Sequence, residues 1–192
     1  VAADGADAAM VQAACAFVRQ IDKLPLPVKS EPGFLVNAVL APYMLEAMRA
    51  VDEGIAPETV DEAMLAFGMP MGPVELADTV GLDIAVAAGK QLAGGAEAPR
   101  CLLARVDQGQ LGKKTGQGFY AWTAGKAQKG AAGMPPPQLA VRLVKPLIDR
   151  VEHLVATGVV ADADLADAGV IFGTGFAPFT GGPLNYRKTQ AQ

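Results

Sequence analysis

Residues 34 to 51, Phe34-Leu-Val-Asn-Ala-Val-Leu-Ala-Pro-Tyr-Met-Leu-Glu-Ala-Met-Arg-Ala-Val51, decide the fold. Apolar side chains fill nearly every position, the pattern of a helix buried on most of its sides. Ser30-Glu-Pro-Gly33 introduces it, and we expect it at the centre of the core. Downstream, helices start and stop legibly. Pro57 suits a first helical position ahead of Glu58, Asp61 and Glu62, and Gly68 closes that helix after Phe67. Pro73 opens a short segment, and helices are expected over Leu82 to Leu92 and Pro99 to Gln108, with Gly109 as a C-terminal cap. The glycine-rich stretch Gly109 to Tyr120 reads as a loop pinned by Phe119, Tyr120 and Trp122.

Upstream, Val11, Cys15, Val18 and Ile21 recur at helical spacing between Asp4 and Asp22. Leu24-Pro-Leu-Pro-Val-Lys29 alternates apolar residues with proline and can only be extended, an orphaned strand or sheet edge. The chain opens on Val1 in a helical pattern, which leads us to expect an excised piece of something longer. Residues Thr123 to Gln138 have linker composition. Beyond them Leu139, Leu143, Leu147, Val151 and Leu154 stripe a helix that contains Pro146 and ends at Gly158, and a shorter helix runs to about Phe172.

The chain of 192 residues is 51% hydrophobic and 19% charged, which excludes a disordered tail. A formal net charge of -4 offers no broad basic field, so nucleic acid is not an expected partner. No uncharged run suits a membrane span. Cys15 and Cys101 are too few for a disulfide framework and lack metal-ligand spacing, so they read as reduced cytosolic core thiols, and the expected residence is cytoplasmic.

A repeat crosses the linker. Gly54 follows a long helix and is trailed by Phe67-Gly68 and Gly72-Pro73; Gly158 does the same with Phe172-Gly173 and Gly182-Pro183, with five extra residues between the last two landmarks. Two copies of one helical unit, each unable to close its apolar face alone, predict paired lobes. The expected fold is all-α, divided as residues 1–29, a first repeat over 30–122, a linker over 123–138 and a second repeat over 139–192.

No Gly-x-Gly-x-x-Gly follows a strand and no phosphate-binding Gly-x-x-x-x-Gly-Lys occurs, so no self-contained nucleotide site is written here. His153 reads as a partly exposed helical histidine, and Glu58, Asp61 and Glu62 as solvated first-turn charges. Asn37 is a short amide in an apolar helix, expected to be partly buried, where it either caps a chain end or faces a cleft and orients a substrate carbonyl. Lys113 and Lys114 on their glycine-rich turn are either a clamp for phosphate or carboxylate, or surface charges.

Pro32-Gly-Phe-Leu-Val-Asn37 with Leu40-Ala-Pro-Tyr-Met-Leu-Glu-Ala47, then Gly68-Met-Pro-Met-Gly-Pro-Val-Glu-Leu-Ala-Asp-Thr-Val-Gly-Leu-Asp83, then Leu111-Gly-Lys-Lys-Thr-Gly-Gln-Gly-Phe-Tyr120 together resemble the C-terminal region of 3-hydroxyacyl-CoA dehydrogenases. Phe172-Gly-Thr-Gly-Phe-Ala-Pro-Phe-Thr-Gly-Gly-Pro-Leu184 resembles the extra C-terminal repeat of the multifunctional fatty-acid-oxidation proteins, which join an enoyl-CoA hydratase to the dehydrogenase. The resemblance implies two homologous lobes of the 6-phosphogluconate-dehydrogenase C-terminal type packed as a pseudo-dimer, with residues 1–29 as the last helix and strand of a Rossmann domain. It implies NAD and a 3-hydroxyacyl-CoA substrate for the full-length enzyme of fatty-acid beta-oxidation, with no cofactor bound to this piece and no metal.

By the same resemblance the catalytic histidine and its glutamate partner lie upstream, so these residues alone are expected to be inactive. Asn37 matches a supporting catalytic asparagine that positions substrate, Lys114 a cofactor contact, and Phe172 a substrate-contacting tyrosine whose hydroxyl is absent here. Ala38 stands where the family usually has arginine. The alternatives are a 3-hydroxybutyryl-CoA dehydrogenase of short-chain metabolism and a purely structural assembly module.

Overall fold

A computed structural model describes residues 1–3, 5–92 and 97–190. Among them the helices are, in chain order, α1 (Ala8–Gln20), α2 (Val36–Asp52), α3 (Pro57–Phe67), α4 (Pro73–Val80), α5 (Leu82–Leu92), α6 (Arg100–Asp107), α7 (Leu139–Ala156), α8 (Ala163–Thr174) and α9 (Pro183–Gln190). The strands β1 (Ala121–Thr123) and β2 (Lys126–Gln128) form a small antiparallel hairpin, so the chain is all-α in class. The Asp4 end of the expected first helix and the Gln192 end of the second repeat lie outside the described residues. Two compact units emerge, Val1–Val39 with Ile148–Gln192, and Leu40–Leu147.

In the unit Leu40–Leu147, Tyr43, Met48, Val60, Met64, Val74, Leu82 and Tyr120 are sealed from solvent. Burying each large aliphatic side chain stabilises by about 1.5–3 kcal/mol. Pro57 starts α3 and Gly68, at φ 107, ends it in the left-handed conformation that costs glycine nothing. The Asp52 carboxylate accepts the backbone N–H groups of Arg100 and Cys101 at 2.8 Å each, so α6 begins on a carboxylate from the end of α2. The linker-like stretch is tied down. Ala124 and Gly125, both at positive φ, turn the hairpin, and Gly130 and Gly133 then donate backbone N–H groups to Glu58 and Thr59 of α3.

In the unit formed by the two chain ends, Ile148, Val151, Leu154, Val160, Ala166, Val170 and Phe176 make the core, and Phe176 meets Tyr186 edge-on at 6.4 Å. α8 presents glycine to its neighbours. A Cβ on Gly169 would come within 2.5 Å of Leu26, and one on Gly173 within 2.4 Å of Val36. α1 buries no residue; Val11, Cys15 and Val18 are half-covered, while Met10, Phe17 and Ile21 face solvent. Residues 24–29 are extended and carry one parallel bridge, Ala2 to Lys29, with Lys29 N–H donating to the Val159 carbonyl. The extended orphan expected from the sequence is present.

Three expectations need correction. Asp61 is not a solvated first-turn charge: it is the fifth residue of α3 and only 1% exposed, because it lies on the same face as Val60 and Met64. The second Phe-Gly does not close its helix, since Gly173 is helical and Gly175, at φ 72, ends α8. The register the two units share is carried instead by acids. Asp167 is the fifth residue of α8 as Asp61 is of α3, and Asp164 is the second as Glu58 is. Finally, Cys15 and Cys101 are both only half-buried and are not core thiols.

Candidate functional site

Asn37 owes its position to a tight turn. Gly33 and Phe34 both have positive φ, 79° and 52°, and Phe34 N–H donates to the Glu31 carbonyl while Ala38 N–H donates to that of Gly33. A side chain at Gly33 would strike the Ala38 backbone at 2.7 Å, so glycine is required there. Left-handed backbone at Phe34 is strained, and the turn delivers Asn37 as the second residue of α2. Its amide is exposed, contrary to the expected partial burial, because the first turn of α2 faces solvent at Asn37 while Leu35, Ala38 and Val39 point inward. Among the described residues it makes no hydrogen bond, which leaves its donors and acceptor available.

Phe172 belongs to the same unit, is 73% exposed, and precedes the glycine that packs on Val36, the neighbour of Asn37. Ala38 is buried, and an arginine would have to leave that core position. Lys114 sits in the other unit. Its ammonium contacts both carboxylate oxygens of Asp83, at 2.6 and 2.7 Å, and that hydrogen bond holds the exposed Asp83 carboxyl below the usual carboxylate range. Lys113 lies 5.6 Å above the Trp122 ring, so the two lysines face different partners. His153 is exposed on α7, as a helical surface histidine should be.

In the unit Leu40–Leu147, two buried carboxylates escaped the sequence reading. Asp61 accepts N–H from Val74 at 2.8 Å and Glu75 at 3.2 Å, the Tyr120 hydroxyl at 2.8 Å, and pairs with Lys129 at 2.9 Å. Burial pushes its carboxyl up, and the Lys129 ammonium opposes that push. Asp78, fully buried, accepts Phe119 N–H, Tyr120 N–H and Trp122 Nε1 at 2.9–3.0 Å. These two acids organise the loop that carries Lys113 and Lys114. The available signal was an acid on an apolar helical face, followed by a Gly-Pro helix start that needs a cap.

One unit thus carries an available amide on a strained turn, and the other, taken by itself, carries a lysine loop locked by buried acids. Comparisons with known proteins give the class of protein. Residues 33–122 match the family described as 3-hydroxyacyl-CoA dehydrogenase, C-terminal domain. Over 191 residues it is 34% identical to the fatty acid oxidation complex subunit alpha of Shewanella oneidensis, covering 91% of this chain. It spans 27% of that relative's length. (S)-3-Hydroxybutyryl-CoA dehydrogenase PaaH1 from Ralstonia eutropha is 35% identical, covers 58% of this chain and 42% of its own, and superposes with a TM-score of 0.53. The 3-hydroxybutyryl-CoA dehydrogenase of Escherichia coli shares the fold at TM-score 0.77 and 21% identity, covering 98% of this chain and 59% of its own.

Proposed function

We propose that this chain is the helical C-terminal part of an NAD-dependent 3-hydroxyacyl-CoA dehydrogenase of fatty-acid oxidation, organised as a first repeat over 30–122, a linker over 123–138 and a second repeat over 139–192. Residues 1–29 are the closing helix and strand of the dinucleotide domain in this reading. The single parallel bridge at Lys29 and the bare apolar residues of α1 support it, because both ask for more sheet and more core. An acyl-CoA substrate, an upstream hydratase domain and a cytoplasmic setting belong to the same reading. Among the described residues no helix is long and apolar enough to cross a membrane.

The observation that carries the proposal is Asn37, held by a strained turn with its amide open to solvent. In the full-length protein its N–H donates to a carbonyl oxygen of the acyl-CoA and fixes the 3-hydroxyl before an upstream histidine removes the proton. The nicotinamide supplies the hydride acceptor when bound. These residues carry no glycine-rich phosphate turn after a strand, so they do not make its pocket. Lys114, released from Asp83, is their contact to the bound cofactor, and Phe172 offers an apolar edge to the substrate.

The test uses a polypeptide extended upstream through the dinucleotide domain, assayed by NADH oxidation with acetoacetyl-CoA. Asn37→Ala lowers kcat/KM about tenfold to a thousandfold with an unchanged urea midpoint, since removing one positioned donor costs that much and the side chain is exposed. Unchanged turnover with lowered stability supports the structural module instead. A chain-length series separates a beta-oxidation enzyme from a short-chain 3-hydroxybutyryl-CoA dehydrogenase. Sequence identity of 34% sustained over 91% of this chain supports the former, because the Escherichia coli 3-hydroxybutyryl-CoA dehydrogenase covers 98% at only 21% identity.

A further inference from the structure

The two units use the same acid in the same way, and only one of them is complete. In α3, Asp61 caps α4 through Val74 and Glu75. In α8, Asp167 caps α9 through Leu184 N–H at 2.7 Å and Asn185 N–H at 3.0 Å. Both acids are buried, and a Cβ on the glycine before either proline, Gly72 or Gly182, would lie 2.2–2.4 Å from the acid's side chain.

At Asp61 the remaining space is taken by an extended strap. Lys129 reaches the carboxylate at 2.9 Å and stands 5.2 Å over the Tyr120 ring, and the next residue, Gly130, donates its N–H to Glu58. At Asp167 no ammonium stands within ion-pair distance among the described residues. A groove of about 670 Å³ opens there, lined by Asp167, Asp164, Ile171, Phe172 and Lys188 among others. Asp164 holds the α8 position that Glu58, the strap's second anchor, holds in α3. The groove thus keeps both carboxylate anchors and an aromatic side chain, Phe172, for an ammonium to rest on. Lys188 balances one of its two negative charges and leaves the other unmatched.

We propose that this groove binds an extended, glycine-containing peptide segment bearing a lysine, supplied by a partner chain, in the manner in which residues 129–133 are held on α3. The lysine ammonium pairs with Asp167, the following backbone N–H donates to Asp164, and the lysine stem lies on Phe172 and Ile171. The groove shares Phe172 with the apolar edge proposed for the substrate, and Asn37 is not among its lining residues.

The probe is a synthetic peptide of residues 126–134, Lys-Ala-Gln-Lys-Gly-Ala-Ala-Gly-Met, titrated into the 15N-labelled chain and followed by amide chemical shifts. Saturable shifts are expected at the Leu184 and Asn185 amides, which donate to Asp167. Binding weakens at least about fivefold with norleucine at the Lys129 position, or with Asp164→Asn in the protein, as for loss of a partly desolvated charge pair. Asp164 is exposed, so that variant keeps its fold, checked by an unchanged thermal melt. Absence of saturable shifts, equal affinity for the norleucine peptide, or shifts at Val74 and Glu75 in place of Leu184 and Asn185 would each overturn the proposal.

Discussion

The Tyr120 hydroxyl lies 2.8 Å from the Asp61 carboxylate, and both residues are sealed from solvent. The phenol donates and the carboxylate accepts, so the bond is charge-assisted. Burial first, and then the Asp61 charge, push the phenol far above its ordinary range, so it stays a donor at every ordinary pH. Lys129 closes the group and also reaches Glu75 at 2.7 Å.

Asp61→Asn removes the charge that Lys129 and Tyr120 meet. Breaking a buried pair from one side costs about 3–5 kcal/mol, so the urea midpoint falls sharply, whereas Tyr120→Phe costs about 1–3 kcal/mol. A double-mutant cycle measures their coupling. An Asp61→Asn variant within about 1 kcal/mol of the parent would show that the group contributes no more than a surface pair.

Gly72→Ala forces a Cβ to 2.2 Å from the Asp61 carboxyl, which has no free direction in which to move. Overpacking of this kind costs about 1–3 kcal/mol, with the lost cap of α4 added to it. Thermal unfolding reads the loss, and Gly89→Ala, where a Cβ meets open space within α5, is the control that holds or gains stability.

The Tyr43 hydroxyl is buried with no hydrogen-bond partner among the described residues, and burial pushes its ionisation far above the ordinary range. Tyr43→Phe therefore deletes an unsatisfied group without opening a cavity. Stability is unchanged or rises by up to about 1–3 kcal/mol. A fall comparable to that of Asp61→Asn would reveal a bonding role for the hydroxyl.

Burial, and then the neighbouring Asp52 carboxylate, push the Cys101 thiol from the ordinary 9.0 up to about 12. At pH 8 its thiolate fraction is lower than in the unfolded chain by roughly a thousandfold, and maleimide or iodoacetamide labelling slows accordingly. Between pH 9 and 12 the folded state holds the proton that the unfolded state has released. This site's contribution to stability is full below pH 9 and is lost as pH rises toward 12. Labelling at pH 8 as fast as in denaturant would contradict the burial.

Apolar periodicity made most helices legible, because α7 buries Leu139, Leu143, Leu147, Val151 and Leu154 as its stripe requires. Proline and glycine punctuation placed α3 and α6, since both residues act through backbone conformation that sequence reports directly. What stayed hidden depended on distant partners. Asp61 reads as a first-turn charge until Tyr120 and Lys129 are brought to it, and the linker reads as loose until Gly130 and Gly133 find α3. The exposure of Asn37 was hidden too, because the two left-handed residues before it, one of them Phe34, rotate the helix start by an amount no periodicity records.

The convergence on Asp61 also orders events for a chain emerging from the ribosome. α3 leaves the exit tunnel well before Tyr120 and Lys129, so the nascent segment carries an uncompensated carboxylate on the face that must bury. The partners that meet the buried charge beside Val60 and Met64 are complete only once Lys129 has emerged.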